Sequence, residues 1–86
     1  MTRAQLDAWC EERDLRLTVM DGFDDCIVGI VERFNDTFVL YDRRKVVAKL
    51  MADGMDHEEA EEWYSFNQLG AWVGEHTPGF LLETEE

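Results

Sequence analysis

One proline and two cysteines stand in these 86 residues, and each shortage excludes something different. With six glycines and 45% hydrophobic and 12% aromatic residues, so little proline marks a folding chain rather than a disordered or collagen-like one. Cys10 and Cys26 are too few for the disulfide framework of a small secreted domain. No signal peptide or long apolar run precedes or spans them, so a reduced cytosolic setting is expected. Lying beside Trp9 and ahead of Ile27-Val28, both read as small buried apolar residues, and no Cys and His spacing suggests zinc. Ser65 is the only serine, and His57 and His76 have no nucleophile and orienting acid at a recognisable spacing. The glycines form no phosphate-cradling loop. The expectation is a non-enzyme with no cofactor and no bound metal.

Positive charge is the other scarcity. Eight basic residues face twenty acids, giving a net charge of −12 and a pI near 4.3. Such a balance argues against direct contact with a nucleic-acid backbone or an anionic membrane and favours basic protein partners. Acidity also keeps a small protein soluble, and that effect alone accounts for many low pI values.

At this length the chain makes one domain with a small core. Thr2 and Gln5 have the form of a capping box, opening a helix over residues 3–14 with Leu6, Trp9, Cys10 and Arg13 on one face. Leu15, Leu17 and Val19 alternate with polar residues in the period of a strand. After Asp21-Gly22, residues 26–31 form an apolar run suited to a strand buried on both sides, with Gly29 admitting a neighbouring backbone or ring. Asn35-Asp36 is the expected hairpin turn, and residues 37–41 return. Asp42 caps a helix over 43–53, whose inward stripe is Val46, Val47, Leu50 and Met51 and whose end is Gly54. A second capping box, Asp56 with Glu59, opens a last helix from 57 to 73 or 74, which Pro78 ends. Phe80-Leu81-Leu82 is a short edge strand, and residues 83–86 are an acidic fraying tail. The expected fold is α+β, a small antiparallel sheet against two or three helices.

On the last helix Ala60, Trp63, Tyr64, Asn67, Gly70, Ala71 and Gly74 share one stripe, and Phe66, Leu69 and Val73 a second. The glycines imply close packing of backbone against the first stripe, with Asn67 bonded to the hairpin or to the 74–78 turn. Phe66, Leu69 and Val73 are a candidate self-association surface, compatible with a homo-oligomer or an assembly module. Asp24, Asp25, Asp42, Glu62, Asn67 and Glu75 offer oxygen ligands for a divalent-metal enzyme or ligand binder. No calcium-loop spacing supports that alternative. If Arg43, Arg44, Lys45 and Lys49 are satisfied internally, the surface left outside is negative: Asp7, Glu11, Glu12, Asp14, Asp21, Asp24 and Asp25. Such a surface imitates a phosphate track and suits a basic groove.

The residues Val39-Leu40-Tyr41-Asp42, Lys45-Val46-Val47, Leu50-Met51, Asp53-Gly54-Met55, Glu58-Glu59-Ala60, Glu62, Phe66-Asn67, Gly70-Ala71, Gly74-Glu75 and Thr77-Pro78, with Ile27-Val28-Gly29, form one pattern. It resembles a group of small uncharacterised bacteriophage and prophage proteins, over about residues 24–82. The resemblance implies a viral accessory role in the cytoplasm of a bacterial host. It implies no particular activity.

Overall fold

The computed structural model describes residues 1–69, 74 and 76–83, with the backbone alone at 68 and 69. It is a small α+β fold: three helices and a three-stranded mixed sheet. The first helix, α1 (Arg3–Glu12), opens on the expected capping box: the Thr2 hydroxyl accepts from the Gln5 N–H at 3.1 Å, and the Thr2 N–H donates to Gln5 Oε1 at 2.9 Å. It ends two residues short of expectation. The Leu15 N–H returns to the Cys10 carbonyl and the Asp14 N–H to the Glu11 carbonyl, a helix-ending pair of bonds that puts Asp14 in the left-handed region, φ 51.

Residues 15–20 are not a strand, although their apolar alternation does direct Leu17, Val19 and Met20 toward the core. Their backbone finds a side chain in place of a ladder: the Met20 N–H donates to the Tyr41 hydroxyl at 2.8 Å. A single 3-10 turn over Asp24–Cys26 then leads into β1 (Ile27–Arg33), so Cys26 precedes the strand rather than opening it. Strand β1 is an edge, with Val28 41% exposed, not a strand buried on both sides. Register shifts between Ile27 and Gly29, and Gly29 belongs to this bulge; among the described residues no ring or backbone comes within 4 Å of where its Cβ would stand. The glycine that a ring does approach is Gly79, where a Cβ would stand 2.6 Å from Phe38 Cε2.

The hairpin turn comes one residue earlier than Asn35-Asp36. Arg33 pairs with Asp36, leaving Phe34 and Asn35 as the two-residue loop into β2 (Asp36–Asp42). Asp42 Oδ1 accepts from the Arg44 and Lys45 N–H groups at 2.9 and 3.3 Å, capping α2 (Arg43–Ala52) as the sequence predicts. Val46, Val47 and Leu50 are buried, whereas Met51 is exposed, so the inward stripe is narrower than expected. Gly54, φ 111, ends this helix: its N–H goes to the Met51 carbonyl and that of Met55 to Leu50. Asp56 then caps α3 (His57–Tyr64), accepting from the Glu59 N–H at 2.9 Å.

Beyond Tyr64 the chain widens into a π-helical turn over Ser65–Leu69 rather than continuing as a regular helix. The last strand, β3 (Gly79–Leu81), pairs with β2 in parallel, Tyr41 opposite Phe80. The wholly antiparallel sheet expected from the sequence is therefore corrected. The chain between β2 and β3 is long and carries both helices, so it works as a crossover that returns it to the same end of the sheet.

Ile27, Val39, Tyr41, Val46, Val47, Leu50, Ala60 and Tyr64, with Leu6 and Cys26, form the buried core. Phe80 joins it through rings: its centroid lies 5.1 Å from Tyr64, edge to face, and 6.1 Å from Tyr41.

Two changes test this frame. Phe34 is 96% exposed at φ 52, a conformation that a bulky side chain adopts at a cost and asparagine tolerates. Phe34→Asn is expected to raise the melting temperature by about 4–8 °C, the equivalent of about 1 kcal/mol in a domain of this size, read by calorimetry. Tyr41→Phe, which strands the Met20 N–H, is expected to destabilise by about 1–3 kcal/mol in denaturant titration.

Candidate functional site

All of the predicted partner-binding acids, Asp7, Glu11, Glu12, Asp14, Asp21, Asp24 and Asp25, are exposed. Arg3 joins the two parts of this surface: Nε lies 3.0 Å from Asp7 Oδ1, one turn along α1, and NH1 lies 3.2 Å from Asp24 Oδ1 in the 3-10 turn. Lys49 reaches from α2 to Asp25 Oδ1 at 2.9 Å. The ammonium holds the Asp25 carboxyl below its ordinary pKa, and the carboxylate raises Lys49. Arg13 pairs with Glu12 at 3.5 Å and lies over the Trp9 ring at 4.1 Å.

The basic residues are placed as clamps between elements. Arg43 of α2 meets Glu61 of α3, and Arg44 meets Glu83 after β3, so the first residue of the expected fraying tail has a partner. Arg33 pairs with Asp36 across the hairpin. Among the described residues Arg16 and Lys45 hold no carboxylate, and Glu11, Asp14 and Asp21 meet no base.

The structural assignments divide. Asp42 and Asp56 are helix caps, and the Glu59 N–H is the main reason the Asp56 carboxyl titrates below its ordinary value. Asn67 is exposed, and its Nδ2 donates to the Trp63 carbonyl at 3.2 Å, one turn back on the same segment; it bonds neither the hairpin nor the 74–78 turn. Among the described residues no backbone packs against the place of a Gly74 Cβ. The residue sits at φ 110, and its carbonyl accepts from the Thr77 N–H and hydroxyl. His76 Nδ1–H donates to the Thr37 carbonyl at 2.7 Å, tying that turn to β2. Gly70, Ala71, Val73 and Glu75 lie outside the described residues, as does the Leu69 side chain, so close packing at Gly70 and a shared Phe66, Leu69 and Val73 surface are not seen.

Trp63, expected on the inward stripe, is 46% exposed, and Phe66 is 80% exposed. Ala60 and Tyr64 are the buried pair on this segment, one turn apart. With Met55, Glu59, Glu62 and Asn67 the two exposed rings line a groove of about 290 Å³. The sequence signal was present in the spacing of 59, 62, 63 and 66, which repeats on one side of a helix.

Cys26 is buried, and burial, with the Asp25 charge adding, pushes its thiol from 9.0 up to about 11. It is no nucleophile at neutral pH. Among the described residues no group of three or more His, Cys, Asp or Glu side chains is arranged to hold a metal ion. Asp24 and Asp25 lie on Arg3 and Lys49, and Asp42 on the α2 amides. No described helix is long and apolar enough to cross a membrane.

Comparison with protein-family models, curated proteins and solved structures returns no match.

A thiol raised by burial contributes stability that is complete below its unfolded value and lost as pH rises through its folded one. The denaturation midpoint is therefore expected to fall between pH 9.0 and about 11, less steeply in Cys26→Ala. Tyr41 and Tyr64, raised from 10.0 by burial, add loss of the same sign at the upper end. Iodoacetamide with mass spectrometry is expected to label Cys10 well before Cys26.

Proposed function

We propose that this chain is a non-enzymatic, phage-type accessory protein of the bacterial host cytoplasm. It binds a basic site on a host or phage protein through its acidic surface, as a nucleic-acid mimic that inhibits a host defence component. One observation carries the reading: Arg3, Arg13, Arg33, Arg43, Arg44 and Lys49 each hold a carboxylate of the chain itself, while exposed Glu11, Asp14 and Asp21 meet no base among the described residues. With a net charge of −12, the remaining outward potential is negative. Carboxylates left unneutralised on a surface steer and seat a basic partner.

A second reading, self-association through the last helical segment, is favoured by the exposure of Phe66. Sedimentation as a monomer at every concentration removes it.

The first reading is tested without disturbing any ion pair of the fold. Glu11→Gln, Asp14→Asn and Asp21→Asn together remove three negative charges that hold no cation. Association with the partner, measured by surface plasmon resonance after its capture from host lysate, is expected to weaken about tenfold or more, mostly through a slower on-rate. It is also expected to weaken steeply as salt rises. Unchanged affinity and a flat salt response overturn the proposal.

A further inference from the structure

Helix α3 already binds one guanidinium. Arg43 is paired with Glu61 and lies over the Tyr64 ring, 5.2 Å from its centroid, so an acid and an aromatic three residues apart on this helix form a working arginine cradle. The same chemistry recurs around the helix without its cation. Glu59, Glu62, Trp63 and Phe66 follow the spacing i, i+3, i+4, i+7 and therefore form one stripe, each acid one turn before an aromatic. Met55 and Asn67 close the ends of the resulting groove.

Nothing in the lining of that groove is basic. Elsewhere, rings carry cations from the chain itself: Arg13 on Trp9, Arg33 on Phe38, Arg43 on Tyr64 and Lys49 on Phe23. Among the described residues Trp63 and Phe66 carry none, and Glu62 holds no ion pair. Phe66 is largely exposed and Trp63 about half, although rings of this size are ordinarily covered or replaced at a protein surface. The π-helical turn begins directly after Tyr64 and contains Phe66, a backbone irregularity of the kind that often accompanies binding sites.

We infer that this groove is an arginine-binding subsite, in which a guanidinium projected by a partner protein lies against Trp63 and Phe66 and is paired by Glu62 with Glu59 beside it. Lysine satisfies the charge but not the planar stacking, so arginine is the preferred occupant. The inference rests on the proposed function for the nature of the occupant, a basic protein, and gives that protein a definite anchoring residue separate from Glu11, Asp14 and Asp21.

The probe is the blocked pentapeptide Gly-Gly-Arg-Gly-Gly, titrated against the 15N-labelled full chain. The isosteric but uncharged citrulline peptide is the control. The Trp63 indole N–H, assigned by its disappearance in Trp63→Phe, is expected to shift saturably with a millimolar dissociation constant. Binding is expected to be about tenfold weaker for the citrulline peptide and about threefold weaker in Glu62→Gln, an exposed change that leaves the fold intact. The Glu11→Gln, Asp14→Asn, Asp21→Asn variant is expected to bind the arginine peptide as the parent does. Equal binding of the two peptides, or loss of binding in that triple variant, overturns the subsite. Absence of any saturable Trp63 shift overturns it too, while partner capture through Glu11, Asp14 and Asp21 stands or falls on its own measurement.

Discussion

Tyr41 is the side chain on which the other parts of this small fold converge. It lies near the C-terminal end of the central strand, opposite Ile27 of β1 and Phe80 of β3, and is fully buried. Its ring is the floor of an aromatic set completed by Phe80 and Tyr64, which joins the sheet to α3. Its hydroxyl takes the Met20 N–H, which is how a segment with no strand partner is held against the core. Burying a phenol is costly unless its oxygen is used, and here one hydrogen bond meets the needs of both the ring and the connecting chain. Take that contact away and the segment after α1 loses its hydrogen bond to the sheet.

With so little core, placement of charge has to serve the fold as well as the surface. The basic residues span elements: Arg3 from α1 to the 3-10 turn, Lys49 from α2 to the same turn, Arg43 from α2 to α3, Arg44 from α2 to the end of β3. Each exposed pair contributes little singly. Their collective effect is on distribution, because every base drawn to a junction is one fewer on the outer face. A surface with unmatched carboxylates at Glu11, Asp14 and Asp21 is thus a by-product of how the bases are used internally as well as a candidate binding feature.

How legible this was from sequence depends on whether a residue's role is local. Thr2, Asp42, Asp56 and Gly54 act within a few residues of themselves, and their caps and stop are where the sequence places them. The hairpin is right to within one residue, because Arg33 with Asp36 closes the ladder earlier than the Asn35-Asp36 pair implies. Residues 15–20 misled, since apolar alternation reports a half-buried extended chain and cannot tell a ladder from a tyrosine hydroxyl. The parallel β3 was hidden for a similar reason: direction is set by the crossover, not by Gly79-Phe80-Leu81 themselves. Asn67 and Trp63 went wrong together. A regular helix through Gly74 put both inward, whereas the regular helix ends at Tyr64 and the buried pair Ala60 and Tyr64 leaves Trp63 at its margin.

That failure bears on function. A helix that buries Ala60 and Tyr64 has room for two further sides, and the two are filled with the same residue types to opposite effect. On one, Glu61 and Tyr64 close on Arg43 and fasten α3 to α2. On the other, Glu59, Glu62, Trp63 and Phe66 stand around a groove with no base in its lining. Composition treats the two sides alike, as acidic and aromatic. What separates them is whether the fold delivers a guanidinium, and α2 delivers one only to the side it faces.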